Sequence, residues 1–322
     1  RDESLACWIF TLEKIGMQSK GKDMLKLLAR DAILYYLTQL KEPNYEIKEA
    51  GCKAVNEIFG KVPEAIPDIA EYIPGLFESL FVLTRDYKPN VREQAFNAMS
   101  QMVSGAPFEC AVYAEKLVDV GFDQLCFSSA AVLDSVAYFI RTVFEKNKEG
   151  PRKLIIARME HYMAAVKNPQ IQIILSNPIA YGGDVIKPFN WEASLGGIYL
   201  AHYLIEVWPD ALDEYSTKIF EVVSYDGNNS TVELKRVGWR ILGNLFAKMQ
   251  KNSAKSFLDT TVVAWSRDYR NPAKDLSLNC AFFMQSVAKK IGPSILKGRV
   301  ESNHAPDIAK FVEEALSVPI QQ

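Results

Sequence analysis

Histidine is almost missing from this 322-residue chain, and cysteine is sparse and odd in number. The three histidines, His161, His202 and His304, have no HExxH or CxxC spacing around them. No His-Glu step of the kind used by iron-binding helical-repeat enzymes occurs either, so no metal or other cofactor is expected. The five cysteines, Cys7, Cys52, Cys110, Cys126 and Cys280, lie far apart and form no paired framework. They read as reduced, buried thiols of a protein in the cytoplasm or nucleus. The overlapping sequons at Asn228 and Asn229 matter only in a secreted protein. No apolar run approaches the roughly 20 residues that a membrane-crossing helix needs, and no signal-peptide pattern is read. Strong charge of one sign is missing too. With 37 basic and 39 acidic residues the net charge is −2, so no global field draws the chain to nucleic acid or an anionic membrane.

Catalytic patterns are equally scarce. "YGGD" at 181–184 and "LGG" at 195–197 are neither a phosphate-binding GxxxxGK[ST] loop nor a dinucleotide fingerprint. A turn and close helix packing explain them. No GxSxG elbow is present, and no Cys or His has a nucleophile–base context, so no enzyme and no small-molecule substrate are expected.

Helical periodicity is what the chain has in quantity. Val91, Ala95, Ala98, Met99 and Met102 fall on one helix face, with Pro89–Asn90 before them and Gly105 and Pro107 after. The same grammar predicts helices near 3–17, 22–40, 45–60, 67–85, 89–104, 108–126, 129–147, 151–166, 191–208, 210–225, 231–249, 254–268, 272–291 and 304–317. Short polar connections such as "YKPN" and "RNPA" separate most of them. Alternating β-branched residues occur chiefly in "QIQIILSN" at 170–177, inside a connector.

Internal repetition decides the architecture. "EIKEAGCKAVNEIF" at 46–59 aligns with "ELKRVGWRILGNLF" at 233–246. "DYKPNVREQAFNAMSQM" at 86–102 aligns with "DYRNPAKDLSLNCAFFM" at 268–284. The offsets, 233 − 46 = 187 and 268 − 86 = 182, differ by one short turn. The expected fold is all-α: a right-handed α-solenoid of stacked antiparallel helix pairs, HEAT/armadillo-like, with about six to seven repeats of roughly 40 to 45 residues. A first block spans 1–167, an irregular connector 168–190 and a second block 191–322 of one continuous solenoid. The connector reads as a functional or flexible segment, or as the site of a longer natural insertion. Since the sequence begins with Arg1, a piece of a longer protein is expected.

The stretch 46–103 resembles consecutive repeats of the importin β (karyopherin β) superfamily: a charged–apolar helix, an "EYIP" entry, then "VREQAFNA". "VLDSVAYFIRTVFEKNKEGPRKLIIARMEHYM" at 132–163 continues the style, and "LNCAFFMQSVAKKIGP" at 278–293 is similar to that family's "NA.F.MG.LAE..G" helix. The likeness is of pattern, spread over most of the chain. It implies a transport receptor without catalysis, whose second helices line a concave surface for protein cargo. Ran in its GTP form and nucleoporins are the further partners implied. It also implies that an Asp and a basic residue one turn apart form ladders between repeats, here Asp86 with Arg92 and Asp268 with Lys274. The exposed binding candidates on the second helices are Lys53, Glu57, Gln94, Asn97, Gln101, Arg240, Asn244 and Asn279. Trp239, flanked by Lys235, Arg236 and Arg240, is either a core residue or an exposed aromatic for an acidic or phosphate-bearing partner. The basic run at 289–299 either opposes a helix C-terminus or faces an acidic partner. The alternative function is a HEAT scaffold in a cytoskeletal, ciliary or other large assembly.

Overall fold

Proline, asparagine and threonine set where half of the helices begin. In the computed structural model, which describes residues 22–126, 129–176, 180–181, 184–185 and 187–319, Asn44 caps the helix α2 (Tyr45–Lys61) by accepting from the Glu46 amide at 2.8 Å. Thr231, the equivalent position one block later (44 + 187 = 231), caps α12 (Val232–Lys248) through the Leu234 amide at 3.2 Å. Each cap satisfies an amide that the first helical turn leaves without a partner.

The remaining helices are α1 (Lys22–Gln39), α3 (Ile66–Ile69), α4 (Ile73–Leu83), α5 (Pro89–Gly105), α6 (Pro107–Cys110), α7 (Ala114–Leu125), α8 (Ala130–Lys146) and α9 (Glu149–Ala164). Beyond the connector come α10 (Asn190–Val207), α11 (Leu212–Val223), α13 (Lys251–Tyr269), α14 (Lys274–Ile291), α15 (Pro293–Asn303) and α16 (Pro306–Ser317). They form the helix pairs of a HEAT/armadillo solenoid. The helix expected at 3–17 lies outside the described residues.

Contacts divide the chain into two compact units, residues up to Ala157 with 175–186, and Arg158–Ile174 with the residues from Lys187 onward. In the first, the second helices α2, α5 and α8 pack side by side, each backed by its first helix. In the second, α10, α12, α14 and α16 repeat that layer. The core lies between layers. Phe59, Phe77, Phe96, Phe122 and Phe139 are buried in the first unit, and Trp239, Phe246, Trp265 and Phe283 in the second. Each such side chain contributes about 1.5 to 3 kcal/mol by leaving water. Phe96 meets Phe139 across α5 and α8 at 5.4 Å, and Trp239 meets Phe283 across α12 and α14 at 5.1 Å.

Local departures from the sequence reading have local causes. The helix expected at 67–85 is broken into α3, a 3-10 turn at Ala70–Tyr72, and α4. Pro74 lacks the amide that would continue the ladder past that turn. The helix expected at 108–126 breaks likewise at Ala111–Tyr113; no proline accounts for it. The basic run at 289–299 belongs to two helices. Gly292 (φ 97°) adopts a left-handed conformation that closes α14, and Pro293 opens α15, where no helix is expected from the sequence. In the connector, 170–176 forms no strand; instead Ala180–Tyr181 pairs antiparallel with Asp184–Val185. No helix among the described residues is long and apolar enough to cross a membrane.

Candidate protein-binding face

The frame comes first, because it fixes which side chains are free to bind. Asp86 lies at the turn before α5 and is buried. Its carboxylate accepts from Lys48 Nζ at 2.8 Å, on the second helix of the preceding pair, and from the Lys88 amide at 2.9 Å. Among the described residues, Arg92 reaches only the Asp86 main-chain carbonyl, at 3.1 Å. Burial pulls the Arg92 guanidinium below its ordinary pKa, and the nearby Asp86 charge opposes that.

The second block repeats this arrangement. Asp268 accepts from Lys235 Nζ and Trp239 Nε1, both at 3.0 Å, and from Arg267 Nε at 3.3 Å. Lys235 also meets Asp226 at 2.8 Å. Lys274 is exposed, and the cations at the Asp268 carboxylate are Lys235 and Arg267. The ladder is therefore real between repeats, but its basic rung is a lysine one repeat upstream, not the following Arg92 or Lys274. The sequence held the signal. Lys48 and Lys235 are in register in the first alignment, as Asp86 and Asp268 are in the second.

Trp239 is a correction of the same kind. It is wholly buried, with its indole N–H bonded to Asp268, so it serves the frame and does not reach a partner. Asn279 is also buried at 9% exposure, and its amide donates to the Asp275 carbonyl at 2.7 Å within its own helix. Both lie on the face that α12 or α14 turns toward neighbouring helices, one residue beside the solvent stripe.

The other expected positions do reach solvent. In the first unit, Lys53 pairs with Glu49 at 2.7 Å and Glu57 with Lys61 at 2.7 Å along α2. Gln94, Asn97 and Gln101 are half-buried along α5. In the second unit, Arg240 is exposed and Asn244 half-buried one turn later. The Arg240 guanidinium carbon lies 5.1 Å from the Phe282 ring centroid on α14. Sequence reasoning missed Phe282, whose ring is seated against Gly243: a Cβ there would come within 2.9 Å of it. The signal was the pair of aromatics in "AFFM", one buried as Phe283 and one half-exposed.

On the first-helix side of the first unit, Val82, Phe108 and Val112 are exposed at 71%, 88% and 82%. They accompany a seam in which Phe77 meets Tyr113 at 5.1 Å and Lys116 lies 4.6 Å over the Phe81 ring. Among the described residues no group of three or more His, Cys, Asp or Glu is placed to hold a metal ion.

No family model matches the sequence, and no curated protein matches it. Solved structures do. A Kap95:Nup1 complex aligns with a TM-score of 0.54 at 12% identity, covering 91% of this chain and 33% of that one. A structure of Kap95p with RanGDP gives 0.49 at 14% identity, covering 91% and 36%. A designed armadillo repeat protein bound to a (KR)4 peptide gives 0.38 at 12%, covering 87% and 91%. The first likeness shows a shared fold; the other two, below 0.5, carry no weight. This chain spans 33% to 36% of the length of the Kap95 chains it resembles. It is a HEAT-type solenoid resembling importin β in architecture.

Proposed function

We propose that this chain is a protein-binding segment of a karyopherin β-type nuclear transport receptor, working by recognition and not by catalysis. It takes protein cargo on its second-helix layers, answers to Ran in the GTP form, and moves between cytoplasm and nucleus. The observation that carries this reading is the layer itself. Parallel second helices, locked by a repeated lysine–aspartate rung, hold a row of polar side chains at solvent: Lys53, Glu57, Gln94, Asn97 and Gln101 in one unit, Arg240 and Asn244 in the other. A rigid frame with dispersed polar contacts suits a partner bound over many repeats, each contact weak alone. The exposed Val82, Phe108 and Val112 on the opposite layer supply apolar area of the kind that marks protein contact, and a nucleoporin is the partner assigned to them.

Immobilised Ran tests the reading. The full-length protein should be retained by Ran loaded with GTP and released from Ran loaded with GDP. Retention that ignores the nucleotide, or none, overturns the transport reading and leaves a scaffold in another assembly.

A further inference from the structure

The solvent stripe shared by α12 and α14 is chemically unlike the one on α2 and α5. Along α2 the charges are matched within the helix, Lys53 with Glu49 and Lys61 with Glu57. Toward the C-terminal ends of α12 and α14 the exposed charges are Arg240, Lys248 and Lys289, with Lys290 half-buried beside them. The carboxylates near them are few. Glu233 is held by Arg236 at 2.6 Å at the other end of α12, Asp275 lies in the first turn of α14, and Glu206 stands 3.9 Å from Lys248.

Opposition to the helix dipole explains part of this cluster. Lys290 donates to the Ala247 carbonyl at 3.0 Å, near the end of α12. It does not explain Arg240, which lies two turns before that end. Among the described residues no carboxylate meets the Arg240 guanidinium or the Lys289 ammonium. The Arg240 guanidinium lies within cation–π reach of the Phe282 ring, and no carboxylate among the described residues takes its N–H groups. That is the arrangement that grips a carboxylate with two parallel hydrogen bonds. The Phe282 ring is in turn held in place over Gly243.

We infer that this stripe is a docking site for an extended acidic protein segment, with Arg240 on Phe282 as anchor and Lys289 as the second contact. The inference rests on reading the second-helix layer as a binding surface, and it adds the chemistry of the partner. Phe282 and Lys289 are seven residues apart on α14, which is roughly 10 Å along the axis. An extended chain covers about 10 Å in three residues. The segment recognised therefore carries carboxylates three residues apart, one on Arg240 and one on Lys289.

Fluorescence anisotropy with a labelled peptide of Glu-Ser-Gly repeats tests this at neutral pH, with the full-length protein as receptor. A Lys-Ser-Gly peptide and oligo-dT are the comparison probes. The acidic peptide should bind, weaken with added salt, and lose affinity about tenfold in Arg240→Ala and more in Arg240→Glu. Lys289→Glu should weaken it as well, while Lys153→Glu on α9 should not. Arg240→Lys should fall between, because charge is kept and the planar fork is lost. Arg240 is exposed, so these variants should melt as the parent does; a lowered melting temperature shifts the test to Lys289→Glu alone. Acidic-peptide binding indifferent to Arg240→Glu overturns the inference, as does preference for the basic peptide. Equal or tighter binding of oligo-dT overturns it in favour of a phosphate-backbone ligand. Failure of Ran capture with peptide binding intact would remove the transport reading and leave this site standing; the reverse pattern would do the opposite.

Discussion

Replacing Asp268 by alanine should be the most damaging single change to the lysine–aspartate frame, and clearly worse than the same change at Asp86. The two aspartates occupy equivalent positions but have different dependants. The Asp268 side chain is 3% exposed and Lys235 is 9% exposed, so both ends of that rung are out of water. Removing one member of a buried pair costs roughly 3 to 5 kcal/mol, because the other charge is left without its partner. Here Asp226 still stands 2.8 Å from Lys235, which brings that loss toward or below the lower end. The stranded Trp239 indole N–H then adds about 1 to 3 kcal/mol. A net loss of about 3 to 6 kcal/mol follows. Lys48 is 17% exposed and can turn its ammonium to solvent once Asp86 is gone. What is lost there is one charged hydrogen bond and one turn amide, about 1 to 2 kcal/mol.

Urea unfolding followed by circular dichroism at fixed protein concentration measures both losses. Amide exchange locates them, since arrays of this kind unfold in sections and a single free energy can hide where the damage lies. Asp268→Ala should speed exchange in α12 and α14 and leave α2 and α5 unchanged. Asp268→Asn should be milder, since an amide oxygen still accepts from Trp239. A loss below about 1 kcal/mol for Asp268→Ala, or a larger loss for Asp86→Ala, would refute the ladder as the source of register.

Three other outcomes follow from the same structure. A Cβ at Gly105 would lie 2.7 Å from the Phe59 carbonyl oxygen, whereas one at Gly298 meets nothing within 4 Å, so Gly105→Ala should lower the melting temperature and Gly298→Ala raise it; about 1 to 3 kcal/mol is expected for the first and up to about 1 kcal/mol of gain for the second. Cys52, Cys110, Cys126 and Cys280 are buried, and burial pushes the Cys110 thiol up to about 12, so the native protein should release at most one thiol equivalent to a thiol reagent near neutral pH, and all five after denaturation. Glu160 accepts from Lys218 at 2.6 Å and from Tyr215 at 3.0 Å, and the Lys218 bond holds its carboxyl below the ordinary 4.5. Its stabilising effect is complete above that ordinary value and disappears as pH falls through the lowered one. Glu160→Gln should therefore lower the melting temperature at pH 6 and converge with the parent in acid; a gap that persists at low pH would contradict the assignment.

The periodicity made the pairs legible, because a helix must bury one face and the spacing of Val91, Ala95, Ala98 and Met102 states which face that is. The two alignments also carried the frame, yet its partners were misassigned. The reason is that a charge one turn away along the chain competes with a charge one repeat away in space, and local spacing sees only the first. Asp86 lies near Arg92 in sequence, but Arg92 finds the carbonyl and Lys48 the carboxylate. Trp239 fails by the same logic. Three basic neighbours kept a surface role open for it beside the core one, although on a helix the residue one position away and those three or four away occupy different faces. Lys235, four residues before it, is itself buried against Asp268, so the basic cluster around Trp239 is split: one cation locks the repeats together and another, Arg240, is left for a partner. What Arg240 meets is the Phe282 ring, a residue 42 positions downstream (282 − 240 = 42) that no window on the sequence brings beside it. Binding chemistry in a repeat array is set across repeats, so the residues that carry it become visible only once the register between second helices is known.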